Sequence, residues 1–228
     1  MGVLCIRIYL GRRSQNAIHM RSTTTTTDSS IQLLISSADQ NLLKCSLETW
    51  LRERDDFFIF TNYKTQSAFD RVVFQKFNLY NHWALIRSQS LYVSQFLRTK
   101  NEPDWYVFAS DNSLVLINQL KLELSGLDST HAYYTIISEK DEEKTEPPNS
   151  LVPITILSRG ALSMLMRQIR SQSPGCGIDE GSLSECLEQS VNLNLQRDSQ
   201  KRNRFLIIKR HFAVSEMNDF KQANGALK

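Results

Sequence analysis

The sequence predicts an α/β fold, a single domain with a mainly parallel mixed sheet flanked by helices. Short apolar runs alternate with stretches of helical period, the order expected of β-α-β units. The stretch between the two central runs has room for a right-handed crossover helix. A length of 228 residues, 41% hydrophobic and 22% charged, is enough to bury one substantial core.

Residues 1–30 read as a flexible N-terminal segment, because Thr23 to Thr27 sit among Ser and Asp with nothing apolar to bury. The domain proper is expected over residues 31–214, and residues 215–228 form a polar tail. Ile31 to Ile35 is a buried strand. Ala38 to Glu53 reads as a helix with Leu42, Leu43, Leu47, Trp50 and Leu51 on one face. Phe57 to Phe60 is a second strand and Val72-Val73-Phe74 a third. Asn81 to Leu97 repeats Trp83, Ile86, Ser90, Val93 and Leu97 at helical spacing and ends before Pro103. Trp105 to Ala109 is the next strand, and Ser113 is placed to cap a helix running to Leu124. Ala132 to Ile137 and Ile154 to Leu157 are strands separated by a charged loop over 139–150. Arg159 to Arg170 is a helix, Ile178 to Gln189 is mostly helical, and Phe205 to Ile208 is a short strand. No internal repeat is present.

Composition narrows the partners. A net charge of +3 gives no reason to expect nucleic acid. The basic series Arg197, Lys201, Arg202, Arg204, Lys209 and Arg210 has only Phe205 as an interleaved aromatic, so it reads as a solvated face. The lack of a Walker loop, GxGxxG or GxSxG argues against P-loop NTPases, Rossmann dehydrogenases and common hydrolases. Cys5, Cys45, Cys176 and Cys186 have no zinc spacing. Cys176 and Cys186 flank a glycine-rich acidic loop and are the disulfide candidates. They would pair in an oxidising compartment and stay thiols in the cytosol. Met1 to Leu10 is broken by Arg7 and far shorter than the roughly 20 apolar residues of a membrane span. Arg12 and Arg13 follow it instead of preceding it, so neither a clear signal peptide nor an anchor is expected in this chain.

The chemistry concentrates in Asp104 to Ser113, where an apolar run ends in a polar cluster. A parallel sheet places its ligand at the carboxyl ends of its strands, and Asp111 lies just past one. Two carboxylates two residues apart could share a divalent cation. Here Ser110 and Asn112 flank Asp111 with neutral oxygens, so the cluster is either a weakened metal site or a turn that starts a helix. Asp179 and Glu180 offer a carboxylate base for a sugar hydroxyl, or simply an acidic first turn. His211, beside Lys209 and Arg210, is a metal or phosphate candidate or a surface histidine.

The order of these segments resembles the core 1 β1,3-galactosyltransferase family, inverting glycosyltransferases with a GT-A fold, which includes the non-catalytic companion chaperone Cosmc. Lys44 to Arg54 looks like the family's "K..TW..RC" helix, and Asn81-His82-Trp83 with Tyr92 like its "N-x-W … Y" helix. Asp104-Trp105 followed by Ala109 to Ser113 sits where the enzymes have "DWF.KADDDTY". Leu157-Ser158 with Ala161-Leu162 is similar to "LS.EAL". Ile178-Asp179-Glu180 with Cys186-Leu187-Glu188 is similar to "IEDLALGRCLE". The likeness runs over residues 31–212. It implies a GT-A-like domain in the endoplasmic reticulum or Golgi lumen, associated with mucin-type O-glycosylation.

The departures cluster at the donor site that the resemblance implies. The acidic triplet is Ser110-Asp111-Asn112, and the family's Gly-Gly-x-Gly falls on Leu151-Val152-Pro153-Ile154, where bulk should block a close approach to the backbone. The "FHPF" near the end is Phe205-Leu206-Ile207-Ile208, and the cysteine ending the first motif is Arg54. Two expectations follow. One is a catalytically degenerate domain with no cofactor, acting as a chaperone-like or regulatory partner of a related galactosyltransferase. The other is an active enzyme moving galactose from UDP-galactose to GalNAc-Ser/Thr of a glycoprotein acceptor, with Mn2+ held by Asp111 and His211 and with Asp179 or Glu180 as base. The three losses favour the first.

Overall fold

A computed structural model describes residues 29–48, 51–52, 54–63, 72–74, 81–96, 102–111, 113–137, 153–177, 181–193 and 206–208. The expectations placed on residues 1–28, on the 139–150 loop and on the 215–228 tail lie outside the described residues. So do those on Asn112, Leu151, Val152, Asp179, Glu180, Phe205 and His211.

The elements run β1 (Ile31–Ser37), α1 (Gln40–Glu48), β2 (Phe57–Thr61), β3 (Val72–Phe74), α2 (His82–Phe96), β4 (Trp105–Ser110), β5 (Ser113–Val115), α3 (Ile117–Leu124), β6 (Tyr133–Ile137), β7 (Ile154–Ser158), α4 (Arg159–Arg170), α5 (Leu183–Cys186), β8 (Val191–Asn192) and β9 (Leu206–Ile208). Seven strands form one sheet in the order β3-β2-β1-β4-β7-β6-β8. The first four are parallel, β7 alone runs against both its neighbours, and β8 is parallel to β6. This is the single Rossmann-like α/β domain with a mainly parallel mixed sheet expected from the sequence.

Every residue of β1, β4 and β7 is buried, so these strands read as unbroken runs instead of alternating ones. Their side chains still alternate between two cores. Leu33, Ile35, Trp105, Val107 and Ile156 meet Leu43 of α1 and Ile117, Leu120 and Leu124 of α3. Leu34, Tyr106, Phe108 and Leu157 meet Trp83, Ile86 and Val93 of α2 and Ala161, Leu162 and Leu165 of α4. Each fully buried aliphatic side chain of this kind contributes about 1.5–3 kcal/mol.

The structure corrects three local expectations and adds a strand. The first helix is Gln40–Glu48, not Ala38 to Glu53; Leu51 follows in a turn yet is buried. Ser113 does not cap a helix. It belongs to β5, which pairs antiparallel with β9, and the N-cap position of α3 falls on Leu116 with no side-chain cap. The pairing partner is remote in sequence, so local cap chemistry cannot reveal it. Within residues 178–189 the described helix is only the single turn α5, capped by Ser182. Strand β8 was not foreseen, since two exposed residues carry no period; Val191 N–H to Ala132 O (2.8 Å) and Leu193 N–H to Tyr134 O (2.7 Å) fix it to β6.

Among the described residues no helix is long and apolar enough to cross a membrane. The start of α4 is tightly determined. Ser158 Oγ accepts from Ala161 N (3.0 Å) and Tyr133 N (2.9 Å) and donates to His131 O. A Cβ on Gly160 would lie 2.1 Å from Thr130 O, so only glycine lets α4 approach this loop. Ser158→Ala should therefore lower stability in urea denaturation by about 1–3 kcal/mol, more than an exposed cap would, because Ser158 is wholly buried.

Candidate functional site

Strand order places a switch point between β1 and β4, since the chain winds from β1 toward β2 on one side and β4 lies on the other. Ligands of open α/β sheets sit in the crevice at the carboxyl ends of such a pair. The residues found there are Ser36 and Ser37, ending β1, and Ser110 and Asp111, ending β4.

Asp111 is held inward by five hydrogen bonds. Its N–H donates to Ser36 O (2.9 Å), and its carbonyl accepts from Ser46 Oγ on α1 (3.1 Å). Its Oδ2 accepts from Ser37 Oγ (2.7 Å) and from Asp39 N–H (3.4 Å), and its carboxyl also accepts from the Ala38 backbone. Asp39 Oδ1 caps α1 through Asn41 N (2.7 Å) and Leu42 N (3.3 Å). The Asp111 carboxylate thus accepts from the turn that leads into α1, while Asp39 takes the first free N–H groups of the helix itself. Tyr63, just beyond β2, closes the corner with its hydroxyl 2.7 Å from Ser37 Oγ. Ser110 Oγ lies 3.2 Å from Ser113 Oγ.

Burial raises the Asp111 carboxyl above its ordinary range, against the pull of the Ser37 and Asp39 hydrogen bonds, and the nearby Asp39 charge adds to the rise. Burial likewise raises Tyr63. Burial lowers His82, at the start of α2, against a backbone hydrogen bond with Pro153; its Nε2 is 3.2 Å from Thr155 Oγ1. Sequence reading missed Ser37, Asp39, Tyr63 and His82 as site residues. The available signal was the polar Ser36-Ser37-Ala38-Asp39 directly after an apolar run.

The three departures seen in the sequence meet at this edge where they can be followed. Thr155 pairs with Phe108, which sets Pro153 and Ile154 beside the exit of β4. Ile208 pairs with Ser113, which brings β9 to the residues that follow Asp111. The described groups of this corner do not by themselves fit a divalent cation. One buried carboxylate spends Oδ2 on protein donors, and among the described residues no three His, Cys, Asp or Glu converge.

Asp104, the other carboxylate of the same stretch, lies at the opposite end of β4. It accepts from Ser30 N (3.0 Å), Ser30 Oγ (3.0 Å) and Ser129 Oγ (2.9 Å) and pairs with Arg159 (3.6 Å). Burial pulls its carboxyl upward, but these hydrogen bonds and Arg159 outweigh burial and hold it below the ordinary range. It is a clamp between chain segments.

A disulfide joins Cys176 and Cys186. Closing a loop of this size contributes about 3 kcal/mol in the chain-entropy account. Trp83 Nε1 of α2 donates to Gly177 O (2.6 Å), and a Cβ on Gly181 would lie 2.6 Å from that same oxygen. The ends of the segment that carries Asp179 and Glu180 are therefore pinned together beside α2.

No protein-family profile matches the chain. It is 26% identical over 193 residues to an uncharacterized protein of Caenorhabditis elegans, covering 83% of this chain and 64% of the nematode protein. The chain thus spans just under two thirds of that relative's length. Among solved structures it is similar to a glycosyltransferase involved in glycosylation of the major capsid of PBCV-1 (TM-score 0.44, 9% identity, 85% of this chain and 99% of that one). It is also similar to the 4-diphosphocytidyl-2C-methyl-D-erythritol synthase of Anaerococcus prevotii (TM-score 0.40, 12% identity, 88% and 96%). A third is the catalytic domain of Drosophila β1,4-galactosyltransferase 7 in complex with xylobiose (TM-score 0.37, 12% identity, 84% and 79%). These likenesses are loose.

The two carboxylates titrate with opposite effect. Asp104 contributes stability that is present above the unfolded carboxyl's 3.8 and is lost as pH falls through its lower folded value. For Asp111 the contribution is present below 3.8 and is lost as pH rises through its raised folded value. In thermal melts, Asp104→Asn should melt below the parent protein at neutral pH. Asp111→Asn, which keeps an acceptor for Ser37, should melt at or above it. Both differences should shrink on acidification.

Proposed function

We propose that this chain is a glycosyltransferase-like domain of the core 1 β1,3-galactosyltransferase group, associated with mucin-type O-glycosylation. In this reading it has lost donor chemistry and acts as a chaperone-like or regulatory partner of a related galactosyltransferase. The observation that carries it is the Asp111 carboxylate seated in the β1–α1 turn, hydrogen-bonded to Ser37 and the Asp39 amide. A carboxylate whose Oδ2 is taken up by protein donors is less available to a metal or to a phosphate-bearing donor. Ser110 turned toward Ser113, and Pro153 and Ile154 beside the exit of β4, support the same reading. The Cys176–Cys186 disulfide supports residence in an oxidising compartment, the lumen of the secretory pathway.

One observation favours a second reading. A buried carboxyl with a raised pKa beside Asp39 and Tyr63 is the kind of group that active sites carry. Here Asp111 would swing outward and, with His211, hold Mn2+ for UDP-galactose, while Asp179 or Glu180 takes the proton of the acceptor hydroxyl on a GalNAc-Ser/Thr glycoprotein.

Calorimetry separates the two. The partner reading expects no heat from UDP with Mn2+ at about millimolar concentration; saturable, metal-dependent binding that Asp111→Asn abolishes would establish the enzyme instead. The positive arm is refolding of a denatured galactosyltransferase in the presence of this protein. Recovered activity should rise with its concentration, and failure with each galactosyltransferase of the group would sink the partner reading.

A further inference from the structure

We propose that the outward face of α4 docks an acidic peptide segment of a partner protein, its carboxylates set against Arg159, Arg167 and Arg170. Ala161, Leu162, Leu165, Met166 and Ile169 are the buried side of this helix. Arg159, Ser163, Arg167 and Arg170 follow one another at helical spacing on the other side. Ser163, Arg167 and Arg170 are exposed and Arg159 is half-buried. None of these residues belongs to the switch-point corner, so the inference does not depend on whether that corner binds a nucleotide.

The charges decide the partner's chemistry. α4 contains no Asp or Glu, so nothing within the helix neutralises its arginines. Arg159 opens the helix, where the dipole disfavours a cation, and Asp104 at 3.6 Å offsets that. Arg167 and Arg170 lie in the last turn, where the dipole favours cations. That accounts for their sign but leaves their N–H groups unused. Among the described residues neither forms an ion pair, and as like charges one turn apart they weaken the helix slightly. A guanidinium matches a carboxylate through paired N–H groups, so carboxylates are what this face lacks.

A groove of about 450 Å³ gives the face a definite shape. Arg159, Ser163, Met164 and Arg167 of α4 line one side, with Thr130 and Ala132 opposite. The two walls are locked together, since Gly160 N–H donates to Ser129 O (2.9 Å) and a Cβ on Gly160 would lie 2.1 Å from Thr130 O. A preformed groove lowers the ordering cost of binding. The helix rise from Arg159 to Arg167 is about 12 Å, which an extended chain covers in about four residues. Glu102 also lines the groove and discriminates among anions. An anionic bilayer or a polyphosphate carries charge throughout and meets Glu102 with repulsion. A peptide can set its acids on the arginines and a neutral or basic residue beside Glu102.

The test is fluorescence-anisotropy titration of the full chain with a labelled Glu-rich peptide of about eight residues, long enough to span the arginines when extended. The Glu peptide should bind, its Gln counterpart should not, and added salt should weaken the complex. Arg167→Glu should weaken binding about tenfold, and because the side chain is exposed the melting temperature should hold. Arg52→Glu makes the same charge change at an exposed site beyond α1, and should leave the affinity within about twofold. An equal loss in Arg52→Glu would reduce the binding to net charge and overturn the proposal. So would failure of the Glu peptide to bind, or binding of phosphatidylserine vesicles in its place. Calorimetry with UDP reads the other end of β4, so either result can fail without the other.

Discussion

The parallel pairing of β1 with β4 is the constraint on which the rest of the structure depends. It runs without a break from Ile31 opposite Trp105 to Ser36 opposite Ser110, and the Asp111 N–H extends it to Ser36 O. Both strands are buried on both faces, so no water can replace a lost ladder bond, and each backbone group must find its partner in the sheet. The same pairing divides the side chains of β1 and β4 between the two cores. It also creates the switch point, since β2 lies on one side of β1 and β4 on the other. At its amino end the pairing is locked by Asp104, which gathers Ser30, Ser129 and Arg159.

The carboxyl end of that pairing is where function would be sought, and there the chain has invested in cohesion. Ser37, Asp39, Ser46 and Asp111 bind one another across β1, α1 and β4. A helix start attracts an anion, and here the Asp39 side chain takes its N–H groups while Asp111 binds the turn before it. The cost is visible in the raised Asp111 carboxyl, whose charged form is disfavoured by burial more than its hydrogen bonds favour it. The charged form of Asp111 is thus disfavoured where it sits, although its hydrogen bonds tie β1, α1 and β4 together. The opposite shift at Asp104 shows the contrast: there hydrogen bonds and Arg159 outweigh burial, and the charge itself is stabilising.

Much of the fold was legible in the residues because the physical signal was local. Unbroken apolar runs such as Ile31 to Ile35 and Trp105 to Ala109 identified the central strands, and the helical repeat of Trp83, Ile86, Ser90 and Val93 identified α2. What failed was short or remote. Ser113 has the chemistry of a helix cap, yet Val115 is buried and the segment pairs with β9 far along the chain. Val191 and Asn192 are exposed and aperiodic, and only their bonds to β6 make them a strand. The site was half legible: Asp111 stands out as the lone acid after a buried strand, but Tyr63 and Asp39 join it only through folding.

The sequence by itself determined the class of the fold, the positions of the main strands and helices, and the dilution of charge around Asp111. These follow from hydrophobic periodicity and residue identity, which act over a few residues. Only the tertiary structure decided that the Asp111 carboxylate turns into the β1–α1 turn and that Asp104 clamps the opposite end of β4. It also decided that Cys176 and Cys186 meet and that Trp83 ties Gly177 to α2. Such outcomes depend on which buried donors and acceptors meet across strands and helices distant in the chain, and a linear pattern does not encode those distances.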